Sequence, residues 1–124
     1  MTNKTFIKQN YINIESLRKD GTPVRTPVWF AEEGGVLHVW TRRNSGKAKR
    51  IRRNAQIRIA ACKADGTPLS EWEESRAETD SSPESLQRDQ SQLRKKYGVL
   101  FLLFKWMGRK HNHTELRIYP KGVA

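Results

Sequence analysis

The tetrapeptide DGTP occurs twice in this chain, at residues 20–23 and 65–68, and each copy follows a short segment of extended character. Asp-Gly marks a tight turn, because glycine reaches positive φ without steric cost and the aspartate side chain bonds its own backbone. No longer repeat surrounds the two copies, so they are recurrent turn chemistry and not a duplicated unit. A chain punctuated in this way is drawn toward hairpins and antiparallel pairing.

The segments between the turns fit that pattern. Residues 11–16 alternate weakly and read as a first strand, with Tyr11 and Asn13 on one side and Ile12 and Ile14 on the other. PVRTPVWFA, residues 23–31, is rich in strand formers. Pro23 and Pro27 lack N–H donors, so this strand is an edge or is irregular at Pro27, and irregular strands often border ligand sites. EEGG at 32–35 is a turn, and VLHVWT at 36–41 is a strand. Residues 56–63 are another, with Ile57, Ile59 and Ala61 on one face and Arg58, Ala60 and Cys62 on the other. The acidic SEWEESRAETD is expected to run outward as one more strand. Ser82-Pro83-Glu84 opens a helix to about Tyr97, and Gly98 ends it. Residues 99–107 supply bulky apolar groups for packing, and ELRIY at 115–119 is a last strand. Five or six strands with two short helices predict one domain, residues 1–124, built as an antiparallel barrel with helical decoration.

Charge narrows the partners. Lys plus Arg number 24 against 13 Asp plus Glu, a net charge of +11, and the pI is near 10.2. Such a surface attracts polyanions or anionic small molecules, a phosphorylated partner foremost. The lone cysteine, Cys62, excludes an internal disulfide and a cysteine zinc cluster, and it reads as a buried strand residue. His111 and His113 lack further ligands in sequence, so no metal site is expected. The N-terminal MTNKTFIKQN has no apolar core of a signal peptide. The longest apolar run falls far short of the roughly 20 residues that span a bilayer, so a cytoplasmic protein without a membrane partner is expected.

The stretch TRRNSGKAKRIRRN, residues 41–54, carries basic residues and no acidic one. Ser45 is a good N-cap, Gly46 opens the first turn, and Ala48, Ile51 and Ala55 recur at helical spacing, so a short amphipathic helix is predicted. Its first-turn amides, the Ser45 hydroxyl and the Lys47 ammonium form a donor set for a phosphate, with the Thr41 hydroxyl beside them. Arg42, Arg43, Lys49, Arg52 and Arg53 read mostly as a solvated face. A nucleic-acid surface would spread affinity over all of them, with Trp29, Phe30 or Trp40 for stacking. No zinc finger, RNP-like motif or helix-turn-helix accompanies them, which argues against nucleic acid, and no GxxxxGK followed by Ser or Thr is present, so the phosphate is not held by a Walker loop.

TPVRTPVWF, then GGVLHVWTRRNSGKAKRIRRNAQIRIAACKADGTP, resembles the pyridoxamine 5'-phosphate oxidase-like split-barrel superfamily, and within it the small flavin and deazaflavin oxidoreductases. The resemblance covers residues 11–68 well and 95–98 loosely. It implies a mainly β, FMN-binding type of split barrel with short helices. It places the phosphate contact at Ser45, Gly46 and Lys47, with Thr41, Lys49 and Arg50 as helpers, the ring beside Pro27, Val28 and Trp29, and a phosphate-binding arginine at Arg25. It also implies a homodimer with cofactor sites at the interface. YINIES departs from the family, with Asn13 and Glu15 where relatives often show Leu-Thr-Thr.

The expected function is an oxidoreductase that binds coenzyme F420 and moves hydride to or from a small molecule. The cofactor carries that chemistry, so no catalytic residue is named. FMN is the alternative cofactor, since its phosphate would use the same donors. A non-catalytic flavin or haem carrier, and nucleic-acid binding through the basic helix, are the other classes.

Overall fold

The computed structural model describes residues 9–107 and 112–120, and His111 lies outside them. Among the described residues seven strands form: β1 (Tyr11–Leu17), β2 (Pro23–Val28), β3 (Ala31–Glu33), β4 (Val36–Arg42), β5 (Gln56–Cys62), β6 (Glu73–Asp80) and β7 (His113–Pro120). They make one sheet in the order β2-β1-β5-β6-β7-β4-β3, and every neighbouring pair is antiparallel.

The two DGTP turns share one geometry. In each, glycine takes positive φ, 87° at Gly21 and 91° at Gly66. The aspartate Oδ1 accepts from the threonine N–H at 2.9 Å, Asp20 to Thr22 and Asp65 to Thr67. These turns close β1 onto β2 and return the chain from β5.

The sheet curls because its inward residues converge. Ile12 and Ile14 of β1, Leu37 and Val39 of β4, Ile57, Ile59 and Ala61 of β5, Ala77 of β6, and Leu116 and Ile118 of β7 share one buried cluster with Phe30. Strands β1 and β4 are separated by three others in the sheet, so only a curled sheet brings them to the same core. The result is a half-barrel. Pro23 and Pro27 lie on β2, which pairs with β1 alone, so the missing N–H donors face an open edge.

Helix α1 (Gly46–Arg53) plugs the curl with Ala48 and Ile51. The Ser45 Oγ caps it by accepting from the Ala48 N–H at 3.2 Å, and Arg50, Arg52 and Arg53 complement the dipole at its other end. Asn54 is already extended, so Ala55 leaves the predicted apolar stripe and is exposed. Helix α2 (Pro83–Tyr97) starts at the Ser82 cap with Pro83 behind it and stops at Gly98, whose φ is 62°. A third helix, α3 (Val99–Met107), follows immediately.

Further expectations change: seven strands and three helices form among the described residues where five or six and two were expected. Glu32 and Glu33 belong to β3, and the turn narrows to Gly34 and Gly35. Strand β6 is central and not outward, because small Ser75 and Ala77 let β5 and β7 close over it. The apolar run in α3 does not fill the core. Phe101 is buried, whereas Val99, Leu100, Leu102, Leu103 and Trp106 are exposed. No described helix is long and apolar enough to cross a membrane.

Candidate functional site

A cavity of about 760 Å³ opens where the ends of β2 and β4 meet α1, α2 and α3. That is within the size of ordinary small-molecule sites, roughly 300–1,000 Å³. One side is aromatic, with Tyr11, Trp29, Trp40, Phe101 and His113. Trp40 stacks on His113 with centroids 4.0 Å apart and tilts against Phe101 at 5.5 Å. Trp29 stacks on Tyr97 at 4.3 Å. The Tyr97 hydroxyl accepts from the Phe30 N–H at 3.1 Å and donates to the Asn10 carbonyl at 2.6 Å, which fixes the Trp29 platform. Burial pushes that phenol up to about 12, so it stays a donor.

The other side is polar and cationic, with Thr41, Arg42, Asn44, Ser45 and Lys47. Because the Ser45 Oγ lone pair is committed to the Ala48 N–H, its proton remains for a ligand oxygen. The Gly46 and Lys47 amides open the first turn of α1, where no intrahelical carbonyl reaches them. Among the described residues Lys47 has no acidic partner, and burial together with the Arg50 and Arg42 charges holds its ammonium below the ordinary lysine range. A half-buried cation with only like charges around it is relieved by an anion. The Trp40 indole N–H is buried without a hydrogen-bond partner among the described residues. A flat aromatic group ending in a phosphate fits this combination of stacking walls and unpaired donors.

Of the residues singled out in sequence, Pro27, Val28, Trp29, Thr41, Ser45 and Lys47 line this cavity together. Gly46 joins Ser45 to Lys47 without lining the cavity, and a Cβ there would stand 2.7 Å from the Arg50 Nη1. Arg25, Lys49 and Arg50 do not line it. Arg50 turns toward β1 and donates from Nε to the Ser16 Oγ at 2.7 Å, and Lys49 faces solvent. Arg25 is captured by the buried Glu15 at 2.9 Å and lies over the Trp72 ring at 4.5 Å, with Arg58 on the same carboxylate. Tyr11, Trp40, Leu93, Phe101 and His113 complete the cavity from elements whose meeting no local pattern announces. Cys62 is buried in β5, and burial with the Asp65 charge pushes its thiol up to about 11, away from nucleophilic chemistry.

A second cluster lies on the outer face of β4 and β7, beneath α2. His38 and Trp40 share that face of β4, opposite Arg117 and Glu115 of β7. Glu115 Oε1 contacts His38 Nδ1, and its Oε2 accepts from Arg117 Nη2 at 3.0 Å. Arg117 also donates to Asp80 at 2.6 Å. Asp89 of α2 descends onto this group, with Oδ1 3.6 Å from His38 Nδ1.

No protein-family model and no curated protein sequence matches the chain. Solved structures do. The heme storage protein HutZ from Vibrio cholerae superposes with a TM-score of 0.72 at 12% identity, over 92% of this chain and 83% of its own. A putative pyridoxamine 5'-phosphate oxidase from Listeria innocua gives 0.63 at 12%, over 92% and 86%. An F420 reductase gives 0.61 at 18%, over 98% and 94%. The chain is thus a split-barrel protein with the pyridoxamine 5'-phosphate oxidase-like fold. On that fold this chain carries the Ser45-Gly46-Lys47 helix start, the aromatic cavity beside it and the exposed apolar residues of α3.

Proposed function

We propose that this protein is an oxidoreductase that binds coenzyme F420 and transfers hydride to or from a small molecule. The observation that carries the reading is Lys47: a half-buried ammonium with no acidic partner among the described residues, at the cationic end of a cavity whose other end is aromatic. When bound, the deazaflavin supplies the hydride chemistry. The chain's part is to hold and shield it. Ser45, Lys47 and the first-turn amides of α1 receive the phosphate, while Trp29, Trp40 and the backbone at Pro27 and Val28 flank the ring and exclude water. The F420 reductase among the structural neighbours supports a deazaflavin in this fold. The excess of basic charge favours a cofactor more anionic than FMN.

The exposed face of α3 supports a homodimer. Val99, Leu100, Leu102, Leu103 and Trp106 lie on the helix that also sends Phe101 into the cavity. A second copy packed there buries this surface and walls the cavity. A cargo-binding role is the second reading, favoured by His113 in the cavity lining and by the heme storage protein among the neighbours.

Titration of the purified protein with F420, FMN and haem, followed by fluorescence and absorbance, separates these readings. F420 is expected to bind most tightly, and Lys47→Ala to weaken it by about 10- to 100-fold, the worth of one charge-assisted hydrogen bond of roughly 1.5–3 kcal/mol. Failure of F420 to bind sinks the proposal.

A further inference from the structure

We propose that His38, Asp89 and Glu115 form a site for one divalent transition-metal ion that fastens helix α2 to the outer face of the sheet. The three residues come from β4, α2 and β7, all three are buried, and one ligand atom from each falls within 4.8 Å of the others. Imidazole nitrogen with two carboxylate oxygens is a donor set that Zn²⁺, Fe²⁺ or Mn²⁺ accepts. Ligand atoms about 2.0–2.2 Å from a tetrahedral ion stand about 3.4 Å from each other, and His38 Nδ1 and Asp89 Oδ1 are 3.6 Å apart; Glu115 Oε1 contacts His38 Nδ1 directly and would part from it as both take their places on the ion.

A separate observation singles out a cation here. Asp89 is 1% exposed, and among the described residues neither of its carboxylate oxygens meets a hydrogen-bond donor. Buried carboxylate oxygens almost always have one. The neighbouring cation does not serve it: Arg117 is committed to Asp80, Glu78 and the far oxygen of Glu115. Glu115 Oε1 faces inward against His38 Nδ1 while Arg117 fixes the carboxylate through Oε2, as outer partners of metal ligands commonly do. Two carboxylates facing each other beside a histidine need a proton or a cation between them, and the site's centre is where an ion would stand.

The position gives the ion a task. Leu93 stands one helical turn after Asp89 on the same face of α2, is buried, and lines the cavity. Fixing Asp89 fixes that wall.

The test uses the full chain, stripped with EDTA and given Zn²⁺ alone. About one ion per chain should survive gel filtration, with a melting temperature that rises as free Zn²⁺ increases. Asp89→Asn keeps the shape and removes the ligand charge, so both the ion and the thermal response should disappear. His38→Gln should do the same, and it carries the test if Asp89→Asn does not fold. Co²⁺ in the unaltered chain should give the visible bands of a four- or five-coordinate nitrogen–oxygen site. No ion in the unaltered chain overturns the proposal and leaves a shared proton to settle Asp89 against Glu115. A Zn²⁺ response that survives either substitution, or a Co²⁺ spectrum like that of the hydrated ion, overturns it equally.

Discussion

Lys47 and Glu15 illustrate how opposite surroundings tune single charges. For Lys47, burial and two neighbouring arginines disfavour the ammonium, so its folded-state pKa lies below the ordinary 10.5. A bound phosphate restores it, and binding therefore takes up protons between the free and bound values. Affinity for a phosphate-bearing ligand should fall as pH climbs through the alkaline range toward 10.5, and Lys47→Gln should flatten that profile in a fluorescence titration. For Glu15, burial would raise the carboxyl, but hydrogen bonds from Arg25 and Arg58 and their charges outweigh it and hold it below the usual value of 4.5. Its contribution to stability is complete above that ordinary value and is lost as pH falls through the lowered one. Glu15→Gln should destabilise by about 1–3 kcal/mol at neutral pH, with the difference in melting temperature shrinking in acid. This triad also explains why Arg25 is absent from the cavity. The partner that claims it, Glu15, lies one strand over in register, and register across strands is invisible to a reading along the chain.

At the scale of elements, the helix start at Ser45 was legible because it is local: a capping side chain, a glycine and apolar residues at helical spacing all act within one turn or two. Ile51→Ala should cost about 2–5 kcal/mol in chemical denaturation, since Ile51 plugs the curl of the sheet and its loss leaves a void. Helix α3 was misread for the opposite reason. Its run of apolar residues announces burial, but only the assembled fold shows that Phe101 is covered while Val99, Leu100, Leu102, Leu103 and Trp106 are exposed. Leu100→Glu and Leu103→Glu should shift a dimer toward monomer in sedimentation experiments while leaving the melting profile of the monomer nearly unchanged, because both side chains already face solvent. The cluster of His38, Asp89 and Glu115 was equally beyond a sequence reading, since 77 positions separate the histidine from the glutamate.

The whole molecule is a curled sheet with open edges at β2 and β3, and its cavity forms near those edges, not inside the curl. The order of the strands decides this. With β6 at the centre, the apolar faces of β1 and β4 close over α1, and the strand ends beyond them are left to border a ligand. Turn chemistry and strand alternation were enough to reach an antiparallel barrel, because antiparallel hairpins leave few ways to arrange short strands, and the resemblance over residues 11–68 narrowed it to a split barrel. They were not enough to place β6 or to gather the aromatic wall, which depends on contacts between distant parts of the chain.

Gly98 joins α2 to α3 with no intervening linker, so Leu93 and Phe101, both facing the cavity, belong to one helical corner whose outer surface is apolar. If two copies meet on that surface, association and ligand capture act on the same corner and cannot be independent. Linkage then runs both ways: dilution should release ligand, and ligand should hold the subunits together by the same factor. The corner would make the protein's own concentration a regulator of its occupancy.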